Sequence, residues 1–278
     1  MTPQFVQLNS RFPRKRAFIT GAGSGLGLAL AKALAADGWT LGLFDRNLER
    51  LTRVEAEFAD AGVRLVAYPG DVTHADELTV AVNSFAASHD GLDVMINNAG
   101  VAGTGALMDV SLEDWRWIID INLMGVVHGA RAAIPHLQRN GTGLLINVSS
   151  AAAFTSAPGM SPYNATKAAV LSISETLVNE LRPIGTQVSV VMPTFFRSSL
   201  LETLRGPERF KEFAQDAMQK SKYLVEDAAH DLLTAAGAGR TYIVLPKSAR
   251  ALWRMKRWMP VRFLDQVMKL ANRQPSRA

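Results

Sequence analysis

The chain has 278 residues, 48% apolar and 20% charged, with a net charge of +5, room enough for a sizeable globular core. It has no cysteine, which excludes disulfides and thiolate metal sites and points to a reducing, cytoplasmic compartment; its five histidines show no ligand-like spacing, so no metal is expected. No long apolar segment follows the first basic residues and no apolar run reaches ~18 residues, so neither a signal peptide nor a spanning helix is expected.

Residues 17–20 (AFIT) read as a first strand running into a glycine-rich turn, and a helical pattern from Leu26 to about Asp37 stops at Gly38. Residues 40–44 (TLGLF) are the second strand, ended by Asp45. The alternation continues with helix 47–61, strand 63–68, helix 74–89 and strand 92–96. A long helix (111–139), strand 143–148, helix 161–182 and strand 187–192 follow. Alternating strands and helices predict parallel strands joined by crossovers, a doubly wound α/β sheet in a single domain. From about 195 to 222 the pattern is that of a helical insertion, with Ser199 and Glu202 spaced as a capping box. A helix (224–236) and a strand (241–245) close the sheet, so the fold proper spans 1–245.

The remaining segment, 246–278, holds nine Lys or Arg and one Asp, a net of +8, which leaves the first 245 residues at −3. The body thus gives no electrostatic sign of nucleic-acid binding. The tail predicts two short amphipathic helices divided by Pro260, with Leu252, Met255 and Met259 on one face of the first and Arg250, Arg254 and Arg257 on the other. It suits a cover over a pocket, a subunit interface, peripheral contact with an anionic membrane, or a solvated extension.

Two stretches carry chemistry. The turn Gly21-Ala22-Gly23-Ser24-Gly25-Leu26-Gly27 departs from G-x-G-x-x-G, since Leu26 and Leu28 take the final glycine positions, and satisfies G-x-x-x-G-x-G. Such glycines let the backbone approach a pyrophosphate, while the next helix offers free N–H donors and its positive dipole end. Asp45 lies 18 residues beyond Gly27. A carboxylate there accepts both hydroxyls of an adenine ribose and repels a 2′-phosphate, favouring NAD over NADP. Arg46 beside it could serve that phosphate instead, Ser24 removes one basic partner, and the rival reading of Asp45 is a cap on the following helix.

The second stretch is Ser149–Lys167. Ser161-Pro162 reads as a helix start, a hydroxyl cap followed by proline. Tyr163 and Lys167 then sit one turn apart on one face, roughly 5–6 Å from each other. A nearby ammonium favours the phenolate and brings the phenol into range as a general acid/base. Ser150, 13 positions before the Tyr, would hold a substrate oxygen.

Together the glycine-rich turn, Gly70-Asp71-Val72, Asn97-Asn98-Ala99-Gly100, Asn122, Ser150 and Tyr163-x-x-x-Lys167 resemble the short-chain dehydrogenase/reductases over residues 14–245. The resemblance implies a Rossmann fold and a homodimer or homotetramer. It also implies Tyr163 as catalytic acid/base, Lys167 on the nicotinamide ribose, Ser150 rather than Ser149 on the substrate oxygen, and Asn122 behind a water that links Lys167 to solvent. Asp71 and Val72 would meet the adenine, and Asn98, Ala99 and Gly100 would line the cofactor. The chain departs from the family after the sixth strand, where Pro193-Thr194 replaces Pro-Gly. Nicotinamide contacts are carried over to Thr194, Phe196 and Ser198. Phe154, Met160, Phe195, Phe196, Leu200 and Leu201 are expected to line an apolar pocket for a lipophilic alcohol or carbonyl compound. The expected activity is NAD-dependent alcohol dehydrogenase or carbonyl reductase. The alternatives are the same chemistry with NADPH, and a non-catalytic dinucleotide sensor.

Overall fold

Strands that read as continuous apolar runs are buried on both faces, the mark of a parallel sheet covered by helices on each side. The computed structural model, which describes residues 4–60, 62–139, 141–196, 199–207, 215 and 218–272, has that form. Seven parallel strands, β1 (Arg16–Thr20), β2 (Thr40–Asp45), β3 (Leu65–Pro69), β4 (Val94–Asn97), β5 (Gly143–Val148), β6 (Thr186–Pro193) and β7 (Tyr242–Leu245), lie in the order β3-β2-β1-β4-β5-β6-β7. The order reverses between β1 and β4, and the crevice outside their carboxyl ends is where such sheets take ligands.

The core has two faces, and the period of two along β1 assigns its side chains to them: Ala17 and Ile19 point one way, Phe18 the other. The first face is covered by α1 (Val6–Arg11), α2 (Gly25–Ala36), α3 (Leu48–Asp60) and α9 (Val225–Gly237). The second is covered by α4 (Ala75–Ser88), α5 (Leu112–Ile119), α6 (Gly125–Arg139) and α8 (Ser161–Leu181). Helix α1 has no counterpart in the sequence reading; Leu8, 1% exposed, anchors it to the core.

Three expectations change in detail. The long helix expected over 111–139 is two helices joined by a π-helical turn, Asp120–Met124, which carries Asn122 inward. Ser161 does not cap α8. The preceding residue, Met160, holds the cap position with no side-chain bond, because Gly105 pairs with Gly159 and Met160 and draws the chain into the helix one residue early. Glu202, expected in a capping box with Ser199, instead gives its carboxylate to Arg50.

The tail forms α10 (Arg250–Trp258) and α11 (Pro260–Asn272). Both pack on the body. Phe154, in the short helix α7 (Ala152–Thr155), meets the Trp253 ring edge-on at 5.1 Å and lies 6.5 Å from the Phe263 ring, which is 1% exposed.

Opposite the crevice, at the amino ends of β1 and β4, the Asp93 carboxylate clamps Arg16. It accepts from the Arg16 backbone N–H at 2.9 Å and from the guanidinium at 3.0 and 2.8 Å. The side chains are 4% and 7% exposed, so removing one partner leaves a buried, uncompensated charge. Asp93→Ala is therefore expected to cost about 3–5 kcal/mol in denaturant unfolding; a loss below about 1 kcal/mol would contradict the clamp.

Candidate active site

A cavity of about 480 Å³ opens at the carboxyl ends of the strands. One end is built on the glycine-rich turn. Gly21 has φ +65°, and a Cβ on Gly27 would fall 2.1 Å from the Gly21 carbonyl oxygen, so helix and turn meet with no room for a side chain. Asn98 ties this turn to β4. Its amide donates to the carbonyls of Thr20 and Gly21 at 3.0 and 3.1 Å, while the Thr20 hydroxyl accepts from the N–H groups of Asn98 and Ala99. Ser24 opens α2 without a side-chain cap, which leaves the first-turn N–H donors to whatever lies before them.

Asp45 faces the same end. Its carboxylate accepts from Gly23 N–H and from Asn47 N–H, both at 2.9 Å, so it braces the turn and the start of α3 at once. Arg46 and Arg50 line the cavity beside it; Arg50 donates to the Ser24 hydroxyl at 3.1 Å and pairs with Glu202. Asp71 and Val72 form the neighbouring wall. Four backbone and side-chain features therefore suit an adenosine diphosphate: tight glycine backbone, open helix donors, a carboxylate and a small cleft.

Toward the other end lie Ser150, Tyr163 and Lys167. The Ser150 hydroxyl accepts from Ala152 N–H at 3.1 Å and lines the cavity together with Tyr163. The Ser149 hydroxyl is committed elsewhere, donating to the Lys167 carbonyl at 2.7 Å. Lys167 is 4% exposed; its ammonium donates to the Val148 carbonyl at 3.0 Å and lies 5.8 Å from the Tyr163 ring centroid. A Cβ on Gly100 would meet Asn122 Oδ1 at 3.1 Å and Lys167 Nζ at 3.4 Å, so the three converge.

Burial dominates the electrostatics here. It pushes the Tyr163 phenol above its ordinary value, an effect partly offset by the Ser150 hydroxyl. It lowers Lys167 to about 8. The lowering of Tyr163 expected from the sequence is thus reversed, because a buried phenolate loses more hydration than a single nearby ammonium restores.

Gly21, Ser24, Gly25, Leu26, Asp45, Arg46, Asp71, Val72, Asn98, Ala99, Gly100, Ser150, Tyr163, Lys167, Thr194 and Phe196 all line this one cavity. Gly27 and Asn122 stand behind it. Asn122 is fully buried and exchanges bonds of 2.8 and 2.9 Å with the Val101 backbone, so its carboxamide holds the loop that follows β4. Ser198 and the Leu201 side chain lie outside the described residues. Phe154 turns from the cavity to the tail, and Leu252 of the tail lines it instead. Sequence reasoning also missed Arg50, Thr104, Leu204 and Met218. Arg50 was within reach, one helical turn after Arg46; the others depend on loop pairing. Thr104 N–H donates to the Arg205 carbonyl at 2.9 Å, and Arg205 stacks over Trp117 at 4.0 Å, fixing the loop that carries Leu204.

Residues 15–209 match the short chain dehydrogenase family. A Staphylococcus aureus (strain MRSA252) protein named as an uncharacterized oxidoreductase is 32% identical over 216 residues, 78% of this chain and 93% of its own. Among solved structures, a short chain dehydrogenase/reductase from Burkholderia phymatum in complex with NAD matches with a TM-score of 0.83 at 29% identity, covering 87% of this chain and 92% of that one. A 3-ketoacyl-(acyl-carrier-protein) reductase from Brucella melitensis complexed with NADH gives 0.73 at 28% identity, over 83% and 96%.

In the ligand-free protein the Lys167 ammonium is expected to lose its proton with a midpoint near 8, not at the ordinary 10.5, since burial favours the neutral amine. An NMR titration of isotope-labelled lysines, assigned with Lys167→Arg, reads this directly. A Lys167 signal still fully charged at about pH 10 would refute it.

Proposed function

The chain belongs to the short-chain dehydrogenase/reductase family of oxidoreductases, and on that premise we propose that it interconverts a lipophilic alcohol and its aldehyde or ketone with NAD as cofactor. The observation that carries the proposal is one continuous cavity with Asp45 and the glycine turn in one part of its wall and Ser150, Tyr163 and Lys167 in another. When bound, the nicotinamide carries the hydride. As the phenol, Tyr163 gives its proton to the carbonyl oxygen in reduction; as the phenolate it takes that proton back from the alcohol in oxidation, while the Ser150 hydroxyl holds the reacting oxygen. Lys167 and Asn122 act as positioning residues, the first for the ribose and the charge near the phenol, the second for the wall at Val101.

The choice of NAD is supported by Asp45, whose carboxylate is held at the cleft by two backbone donors and opposes a second negative group there. Arg50, the obvious counter-charge for a 2′-phosphate, is already paired with Glu202. Lipophilic substrates are supported by Met160, Leu200, Leu204, Phe196, Met218 and Leu252, which surround the Tyr163 end with apolar surface. The exposed Arg46 favours the NADPH-dependent reading, and a comparison of initial rates with the two cofactors separates them.

Tyr163→Phe is expected to lower turnover by at least about a hundredfold, the low end for general acid/base catalysis. NADH affinity, read by fluorescence titration, should change little; near-normal turnover would sink the assignment. Asp45→Ser is expected to raise kcat/KM with NADPH relative to NADH by about tenfold or more, the factor that 1.4 kcal/mol yields. An unchanged ratio would remove Asp45 from cofactor choice.

A further inference from the structure

We propose that α10 and α11 form a docking surface for an anionic lipid bilayer. The starting point is that α11 carries two apolar stripes where packing against the body needs one. Phe263 and Val267, four residues apart, face the body within the cluster of Phe154, Met192, Val244 and Ala249. Val261, Leu264 and Met268, at i, i+3 and i+7, share another face and are 71%, 42% and 47% exposed. Trp258 and Met259, at the junction of the two helices, are 84% and 42% exposed. A core stripe at one face does not account for this second one, and an indole at its edge suits the membrane–water interface.

Charge selects the occupant. Lys247, Arg250, Arg254, Arg257, Arg262 and Lys269 are exposed along the same segment, with Asp265 the sole carboxylate of residues 246–272. Among the described residues none of these cations enters an ion pair; Arg257 instead stacks on Trp253 and Tyr242 at 5.3 and 5.9 Å. One sign of charge flanking apolar side chains is complementary to a sheet of anionic headgroups over acyl chains. The body, at −3, is repelled by the same headgroups, which presents the molecule tail-first. The aromatic clamp of Phe154, Trp253 and Phe263 keeps the helices docked, so the surface is formed before it meets lipid and little ordering is required on binding.

The consequence rests on the proposed function: Leu252 is 39% exposed and also lines the cavity, so the docked protein holds the apolar end of its pocket next to the phase in which lipophilic alcohols collect. The docking itself is measured without turnover and fails or stands separately.

The test is co-sedimentation of the full chain with vesicles of phosphatidylcholine alone and of phosphatidylcholine mixed with phosphatidylglycerol. The expected result is binding to the anionic vesicles, release by high salt, and little binding to the neutral ones. Arg250→Gln with Arg254→Gln should lower the partition coefficient by about thirtyfold. Trp258→Ala with Leu264→Ser should lower it at unchanged charge, with Tm and turnover of a water-soluble carbonyl compound preserved in both double variants. Absence of binding to anionic vesicles, or binding that both double variants retain, overturns the proposal. So does a dimer in solution that the same substitutions dissociate in place of vesicle binding.

Discussion

Holding the Lys167 ammonium in the interior is the demand that organises the site. Removing a charged amine from water costs several kcal/mol even after relaxation, and one carbonyl at 3.0 Å offsets only part of it. The surroundings are arranged to keep it there. Ser149 ties the lysine's own backbone to the end of β5, and Gly100 leaves just the space that Nζ and the Asn122 carboxamide occupy. Asn122 reaches that position because the helix unwinds by a π turn, a local loss of regularity of the kind found at functional sites. The amine responds by giving up its proton more readily, and the adjoining phenol by holding its own more tightly.

That pair of opposed shifts has a consequence for how the cavity works. In the ligand-free protein a neutral phenol sits beside an amine that is close to half-protonated at about pH 8. Polar groups brought in by a ligand change this balance, since desolvation is the largest cause of both shifts and is the one that an incoming hydroxyl or carbonyl alters. The apolar walls contributed by Leu204, Met218 and Leu252 work the other way, keeping bulk water from the phenol. The site is thus a polar floor under an apolar roof, and the roof comes from segments remote in sequence.

Much of the scaffold was legible in the residues. The inner strands were recoverable because a parallel sheet covered on both faces needs uninterrupted apolar runs, and β5 occupies the very residues, 143–148, that its pattern marked out; β3, at the sheet edge, is only half-buried. Helix ends were less clear: Met160 displaced Ser161 as the cap through a tertiary pairing with Gly105 that no local signal announces. Helix α1 went unread because one turn and a half is too short to show a period. Phe154 and Leu252 exchanged places, the first packing on the tail and the second entering the cavity, since an apolar side chain near a cleft has two ways to be buried.

Local order therefore determined the alternation of strands and helices, the glycine turn, and the spacing that sets Tyr163 and Lys167 on one face, all of which depend on neighbours within a few residues. Tertiary structure decided the direction of the Tyr163 shift, the two hydrogen bonds between Asn122 and Val101, the capture of Glu202 by Arg50 and the docking of the basic tail. Each of these rests on desolvation or on contact between segments far apart in the chain. Burial is a property of the assembled fold, and residue spacing carries no measure of it.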